Sequence, residues 1–229
     1  MRQYLPTSYI RGFADPDPAD AARPTVWVHR AVAGEFQAAP VEPEPGETHF
    51  NRAGTVAGKS ADLEQLLEGL EGEASRLLAE RLPLRAALAP AERDLLSAYF
   101  ALLGVRLSPR FADIDETEAR RGFEELVPVL REMGWVFWEA PPPDYFVSSS
   151  APFHAAFPGD DSLVQGMELH APGVEITLPL TSRFALLATW RRRGELWRSA
   201  SEAVLLELNA RTIHRARRFV LAPKPAIPG

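Results

Sequence analysis

Two runs decide the fold: Val174-Glu175-Ile176-Thr177-Leu178-Pro179-Leu180 and Phe184-Ala185-Leu186-Leu187-Ala188-Thr189-Trp190. Each has the length and apolar content of a strand. The polar Thr181-Ser182-Arg183 between them is short enough to close a hairpin. A second tight connection leads to a helix over 201–218, and a short apolar run over 219–222 ends the unit.

Upstream of this unit the apolar period changes. Leu63, Leu66, Leu67, Leu70, Ala74, Leu77 and Leu78 recur at three- and four-residue steps, which predicts an amphipathic helix. Ser60 is its N-cap and Pro83 ends it. A second helix starts at Pro90, a residue suited to a first turn, and runs to about Arg106. Leu95, Leu96, Tyr99, Phe100, Leu102 and Leu103 make it apolar around most of its circumference, so it is the buried central helix. A third starts near Asp115, is expected to kink at Pro128, and stops at Gly134. Residues 135–139 and 145–149 predict strands separated by Pro141-Pro142-Pro143, and 163–169 another. Near the start, 25–30 alternates as a short strand after an aromatic, irregular segment over 4–13 and a turn-rich loop over 15–24. Residues 40–58 carry Pro40, Pro43 and Pro45 among glutamates and predict an irregular loop. The expected architecture is α+β: an antiparallel sheet, made of the N-terminal strand and the C-terminal strands, packed on a block of about three helices over 60–134. A mostly β segment over 135–200 and the C-terminal helix complete one domain over 1–229.

The chain has 229 residues, enough to bury a core without disulfides or metals. It has no cysteine, which excludes a disulfide framework, thiolate metal ligands and a cysteine nucleophile. No apolar segment resembles a secretory signal or reaches the roughly 18 residues of a membrane span. A cytoplasmic protein is expected. Its basic residues are nearly all arginine, with Lys59 and Lys224 the exceptions, as in proteins of GC-rich bacterial genomes. The net charge is −6, unevenly spread: nine arginines and Lys224 oppose three glutamates over 183–229, giving +7 there and −13 over 1–182. Such a basic end either packs on the acidic body or meets an anionic partner.

Several pieces, taken in order, carry a resemblance. They are Gln3-Tyr4-Leu5-Pro6, Tyr9-Ile10-Arg11-Gly12-Phe13, Leu70-Glu71-Gly72, Arg106-Leu107-Ser108-Pro109-Arg110, Leu178-Pro179-Leu180-Thr181-Ser182, and Leu208-Asn209 with Ala216-Arg217-Arg218-Phe219-Val220. Together they resemble the motifs of the bacterial family DUF4238. The family's first-motif histidine falls on Gln3, and its Asp-Asn-Pro falls on Ser150-Ala151-Pro152. The resemblance implies a shared fold and no stated activity.

Ala53-Gly54-Thr55-Val56-Ala57-Gly58-Lys59-Ser60 approaches a phosphate-binding loop, with Gly58, Lys59 and Ser60 as the weak candidates. Ala53 stands where the first glycine belongs, and 47–52 is too polar for the buried strand such a loop follows. A Gly-rich loop ending in a serine N-cap accounts for it better. His29, His49, His154, His170 and His214 share no ligand spacing, so neither metal nor cofactor is expected. Ser148-Ser149-Ser150 lacks the Gly-x-Ser-x-Gly turn of an exposed nucleophile. Arginines carry more weight. Arg211, Arg215 and Arg218 share a helical face at i, i+4 and i+7, and Arg191, Arg192 and Arg193 precede that helix. Guanidinium forks suit phosphate and carboxylate.

Three functions remain open. A non-catalytic protein that binds a partner is the leading expectation. A hydrolase- or nuclease-like enzyme would build its pocket from Arg11, Arg106, Asn209 and Arg215. A nucleic-acid or other polyanion binder would use the basic C-terminal helix. Whether those four polar residues meet in an open pocket or satisfy structural needs separates the readings.

Overall fold

The computed structural model describes residues 5–15, 25–32, 35–41, 61–107, 116–159 and 166–228. The helices are α1 (Thr7–Arg11), α2 (Ala61–Leu84), α3 (Pro90–Leu107), α4 (Glu116–Glu132) and α5 (Glu202–His214). The strands are β1 (Val26–Val32), β2 (Glu35–Val41), β3 (Gly134–Glu139), β4 (Ser148–Ser149), β5 (His154–Ala156), β6 (Glu175–Pro179), β7 (Phe184–Thr189), β8 (Glu195–Ser199) and β9 (Val220–Ala222). The phosphate-loop candidates Gly58, Lys59 and Ser60, the loop over 42–58, Gln3 and His49 lie outside the described residues.

The hairpin forms. β6 and β7 pair antiparallel with Pro179 opposite Ala185, and they occupy the middle of a five-stranded sheet in the order β5-β6-β7-β3-β8. Alternation along these strands serves two faces. Trp135, Phe137, Ile176, Leu178, Leu186 and Ala188 point to the main core, shared with Leu77, Phe100, Leu103 and Leu130 of the helical block. Trp138, Ala185 and Leu187 point the other way, onto Leu205 and Leu208 of α5. The result is three layers: helices α2–α4, the sheet, and α5. As its composition predicts, α3 is the central helix, with Leu96, Tyr99, Phe100, Leu102 and Leu103 all buried. Arg93 of α3 fastens the block to the sheet's far edge. Its guanidinium pairs with Glu195 of β8 at 3.2 Å and lies 4.0 Å over the Trp135 ring.

The sheet expected to be single is two. β1 and β9 pair antiparallel, as a union of N- and C-terminal strands requires. They do so in a separate four-stranded sheet, β2-β1-β9-β4. One face of that sheet, with Val26, Val28 and Leu221, joins the main core. The other, with Val220 and Ala222, meets Ile213 and Ala216 at the end of α5. The last helix thus spans both sheets.

α4 ends at Glu132, just before Gly134, as expected. Gly134 also opens β3, and only glycine fits there, since a Cβ would stand 2.5 Å from the Arg192 carbonyl oxygen. Local expectations are corrected in four places. Residues 195–199, taken as connection, form β8, which runs parallel to β3. Described residues of the expected strand over 163–169 form a 3-10 helix, Gly166–His170. Within the expected strand over 145–149 only Ser148–Ser149 pairs, because Phe146 N–H donates to the Ser182 carbonyl of the turn instead. Finally, α5 ends at His214, short of Arg218. Arg217 and Arg218 donate their backbone N–H groups to Ser150 Oγ at 3.1 and 3.0 Å, which turns the chain into β9. α4 runs through Pro128 to Glu132; Pro128 is exposed, so the carbonyl it leaves without a donor can face water.

Candidate functional site

The turn over 181–183 is tied to its surroundings by several hydrogen bonds. Thr181 Oγ1 accepts N–H bonds from Arg183 and Phe184, both at 3.1 Å, so the turn is braced from within. Ser182 N–H donates to Gly12 O and its carbonyl accepts from Phe146 N–H, each at 2.8 Å. Gly12 is needed for this approach. A Cβ there would sit 3.2 Å from Thr181 Cγ2 and 3.3 Å from Leu180 O. Behind the turn, Tyr9 Oη donates to Pro179 O at 2.6 Å and lies 3.0 Å from Ser148 Oγ. Burial pushes the Tyr9 hydroxyl far above its ordinary value, against the Ser148 bond, so it stays neutral. Ser8 Oγ donates to Glu71 of α2 at 2.6 Å. The opening arm is therefore pinned to both the helical block and the hairpin.

A cleft opens on each side of this turn. The first, of about 310 Å³, lies between α1, α2, α3 and the turn; Tyr9, Leu78, Leu82, Tyr99, Leu180 and Phe184 give it apolar walls. The second, of about 540 Å³, lies between the turn, residues 142–145 and the C-terminal tail. Asp15, Asp144, Tyr145, Ser182 and Lys224 line it, with Pro142, Pro143 and Pro223. Arg183 lines both. Its guanidinium is 3.4 Å from Glu139, a carboxylate that also pairs with Arg85. Two cations share one anion, so the trio carries a surplus positive charge beside both clefts. Tyr145 Oη donates to Ala226 O at 2.5 Å, and burial raises the pKa of its hydroxyl.

The predicted site residues do not gather here. Asn209 is buried and bonded: Oδ1 accepts from Val147 N–H and Nδ2 donates to Tyr145 O, both at 3.0 Å. It holds the backbone of the segment that leads into β4. Arg211 pairs with Glu175 at 3.0 Å and with Glu207 at 2.5 Å, and Arg191 stands 3.9 Å from the same Glu175. Arg211 and Glu175 are 16% and 11% exposed, so this is an internal pair between α5 and the sheet. Arg192, Arg193 and Arg218 are exposed. Arg215 caps the end of α5, and its buried Nε and Nη2 meet no acceptor among the described residues. Arg11 is exposed on α1, and Arg106 lies in the last turn of α3 with its side chain outside the described set. Neither cleft is lined by any of them. Arg183, Glu139, Asp144 and Lys224 were missed as a group because they are scattered along the chain and share no spacing. The available signal was Arg183 itself, a cation in the turn of the strongest hairpin.

Among the described residues no group of three or more His, Asp or Glu could hold a metal ion, and no helix is long and apolar enough to cross a membrane. Compared with protein-family models, curated proteins and solved structures, the chain matches none.

Proposed function

We propose that this is a binding protein for a small amphipathic ligand that lies across the turn over 181–183. The carrying observation is that Arg183 lines two adjoining clefts while sharing the carboxylate of Glu139, its one acidic partner among the described residues, with Arg85. An apolar body fits between Tyr9, Leu82, Tyr99 and Phe184, and an anionic group takes the surplus charge at Arg183. Pieces of the resemblance to DUF4238 support the reading by their position. Ser8–Glu71, Gly12–Ser182 and Tyr9–Pro179 tie the opening arm, the Leu70-Glu71-Gly72 piece and the Leu178–Ser182 piece together around the clefts. Membership of that family is part of the proposal.

Isothermal titration with hexanoate and 4-phenylbutyrate tests it. Binding is expected, and Arg183→Met should weaken it by about 10- to 100-fold, as loss of a hydrogen bond to a charged group predicts. Equal binding by the variant, or no heat with either compound, refutes the assignment.

A further inference from the structure

The five-stranded sheet ends on β8. Trp135 N–H donates to Gly194 O, and Ala200 N–H donates to Glu139 O, both at 2.8 Å. These two bonds fix which way the peptide groups of the strand turn, because alternate residues of a parallel ladder give both N–H and C=O to the same neighbour. Leu196 and Arg198 therefore face β3, while Glu195, Trp197 and Ser199 present their N–H and C=O outward. Those outward groups have no hydrogen-bond partner among the described residues. No residue of β8 is buried, and Arg198 and Ser199 are exposed. The edge is nonetheless well supported: the Trp197 ring stacks on Phe137 with centroids 4.3 Å apart.

Charge says what fits along this edge. Arg192 and Arg193 are exposed in the turn that leads into β8, and Arg198 is exposed within it. None of the three pairs with a carboxylate among the described residues. The one acid of the strand, Glu195, is taken by Arg93 and by the Leu88 N–H. Arg193 and Arg198 are separated by at most about 17 Å of extended chain, within the reach of one short strand. Pairing two copies of this chain edge to edge would gather both sets of arginines along one seam, so a second copy is disfavoured. We propose that β8 takes an added strand: an extended, acidic segment of a partner protein. Its backbone pairs with Glu195, Trp197 and Ser199, and its carboxylates meet Arg192, Arg193 and Arg198. The backbone bonds supply affinity with little sequence preference, and the guanidinium groups select an acidic sequence. None of these residues lines either cleft, so the edge stands independently of the small-ligand site.

Fluorescence anisotropy on the full chain tests this with a labelled seven-residue peptide of alternating glutamate and valine. Saturable binding is expected. An analogue with three consecutive central amides N-methylated keeps every charge and loses the donors, so it should bind more weakly by about tenfold or more. The R192E/R193E/R198E variant changes exposed side chains only; it should lose the acidic peptide and gain affinity for the matching lysine–valine peptide. Equal binding of the N-methylated analogue overturns strand addition. A single-stranded oligonucleotide that binds through the same three arginines more tightly than the peptide assigns them to a polyanion and also overturns it. So does a chain, folded by circular dichroism, that binds no peptide, whether it sediments as a monomer or as a dimer that covers the edge with a second copy.

Discussion

Asn209→Ala separates a structural asparagine from a catalytic one. The side chain is 1% exposed and makes both of its 3.0 Å bonds to the backbone of the segment after the prolines. Truncation leaves the N–H of Val147 without an acceptor, in a residue that is fully buried. A buried donor left without a partner costs about 1–3 kcal/mol. The Tyr145 carbonyl belongs to a half-buried residue and can turn partly to water, so it adds only about 0.5–1.5 kcal/mol, the net worth of an ordinary hydrogen bond. The expected loss is therefore about 2–4 kcal/mol. With a urea m-value of roughly 2–3 kcal/mol/M, the midpoint falls by about 1 M with m unchanged. Asn209→Asp keeps the acceptor for Val147 but turns a second oxygen toward the Tyr145 carbonyl and buries a charge. It should therefore be more damaging at pH 7 than at pH 4, where the carboxyl can take a proton. A loss under 0.5 kcal/mol for Asn209→Ala would refute the structural role and return Asn209 to the list of candidate catalytic groups.

Other outcomes follow from packing and charge. Gly134→Ala drives a Cβ to 2.5 Å from the Arg192 oxygen and 2.8 Å from its carbonyl carbon, both backbone atoms. A loss of about 2–3 kcal/mol and a Tm lower by about 5–10 °C are expected in calorimetry; an unchanged Tm contradicts the close approach of the strand to the turn at 192. Tyr9→Phe removes the donor to Pro179 O and should cost about 1–3 kcal/mol in urea titration; a neutral result means the hydroxyl does not hold the arm to the hairpin. His29 is 3% exposed, and burial holds its pKa below the ordinary value, against its bond to the Lys224 backbone. The unfolded chain gains this proton near pH 6.5 and the folded chain only lower. The group's contribution is thus constant above about pH 6.5 and stability falls as pH drops below it. Unfolding at pH 7.5 and 5.5 should show that loss, and His29→Gln should reduce the slope; an identical slope clears His29 of responsibility.

Periodicity and turn chemistry alone determined a good deal of this protein. The leucine stripe of α2, the nearly all-apolar surface of α3 and the β6–β7 hairpin with its polar turn were each legible, because each is fixed by neighbours within a few positions in the chain. The α+β class followed from their order. What the sequence could not decide is how distant segments share partners. Arg211 has the spacing of a basic face, yet Glu175, far away in the chain and adjacent across the packing of α5 on β6, takes its charge. Gly134 reads as a helix stop and α4 does end just before it, but that the same residue opens β3 and passes so close to the Arg192 backbone that no Cβ fits is set only by the packing. Asn209 stands out as a polar residue on an apolar helix, and only the placement of Val147 and Tyr145 says why. Arg183 belongs to a hairpin that sequence identified, and its two clefts exist only because α1, the prolines after β3 and the tail after β9 converge on that turn. Local backbone preference is written in short windows of sequence; burial, charge pairing and cavity shape arise between windows, where tertiary packing sets the partners.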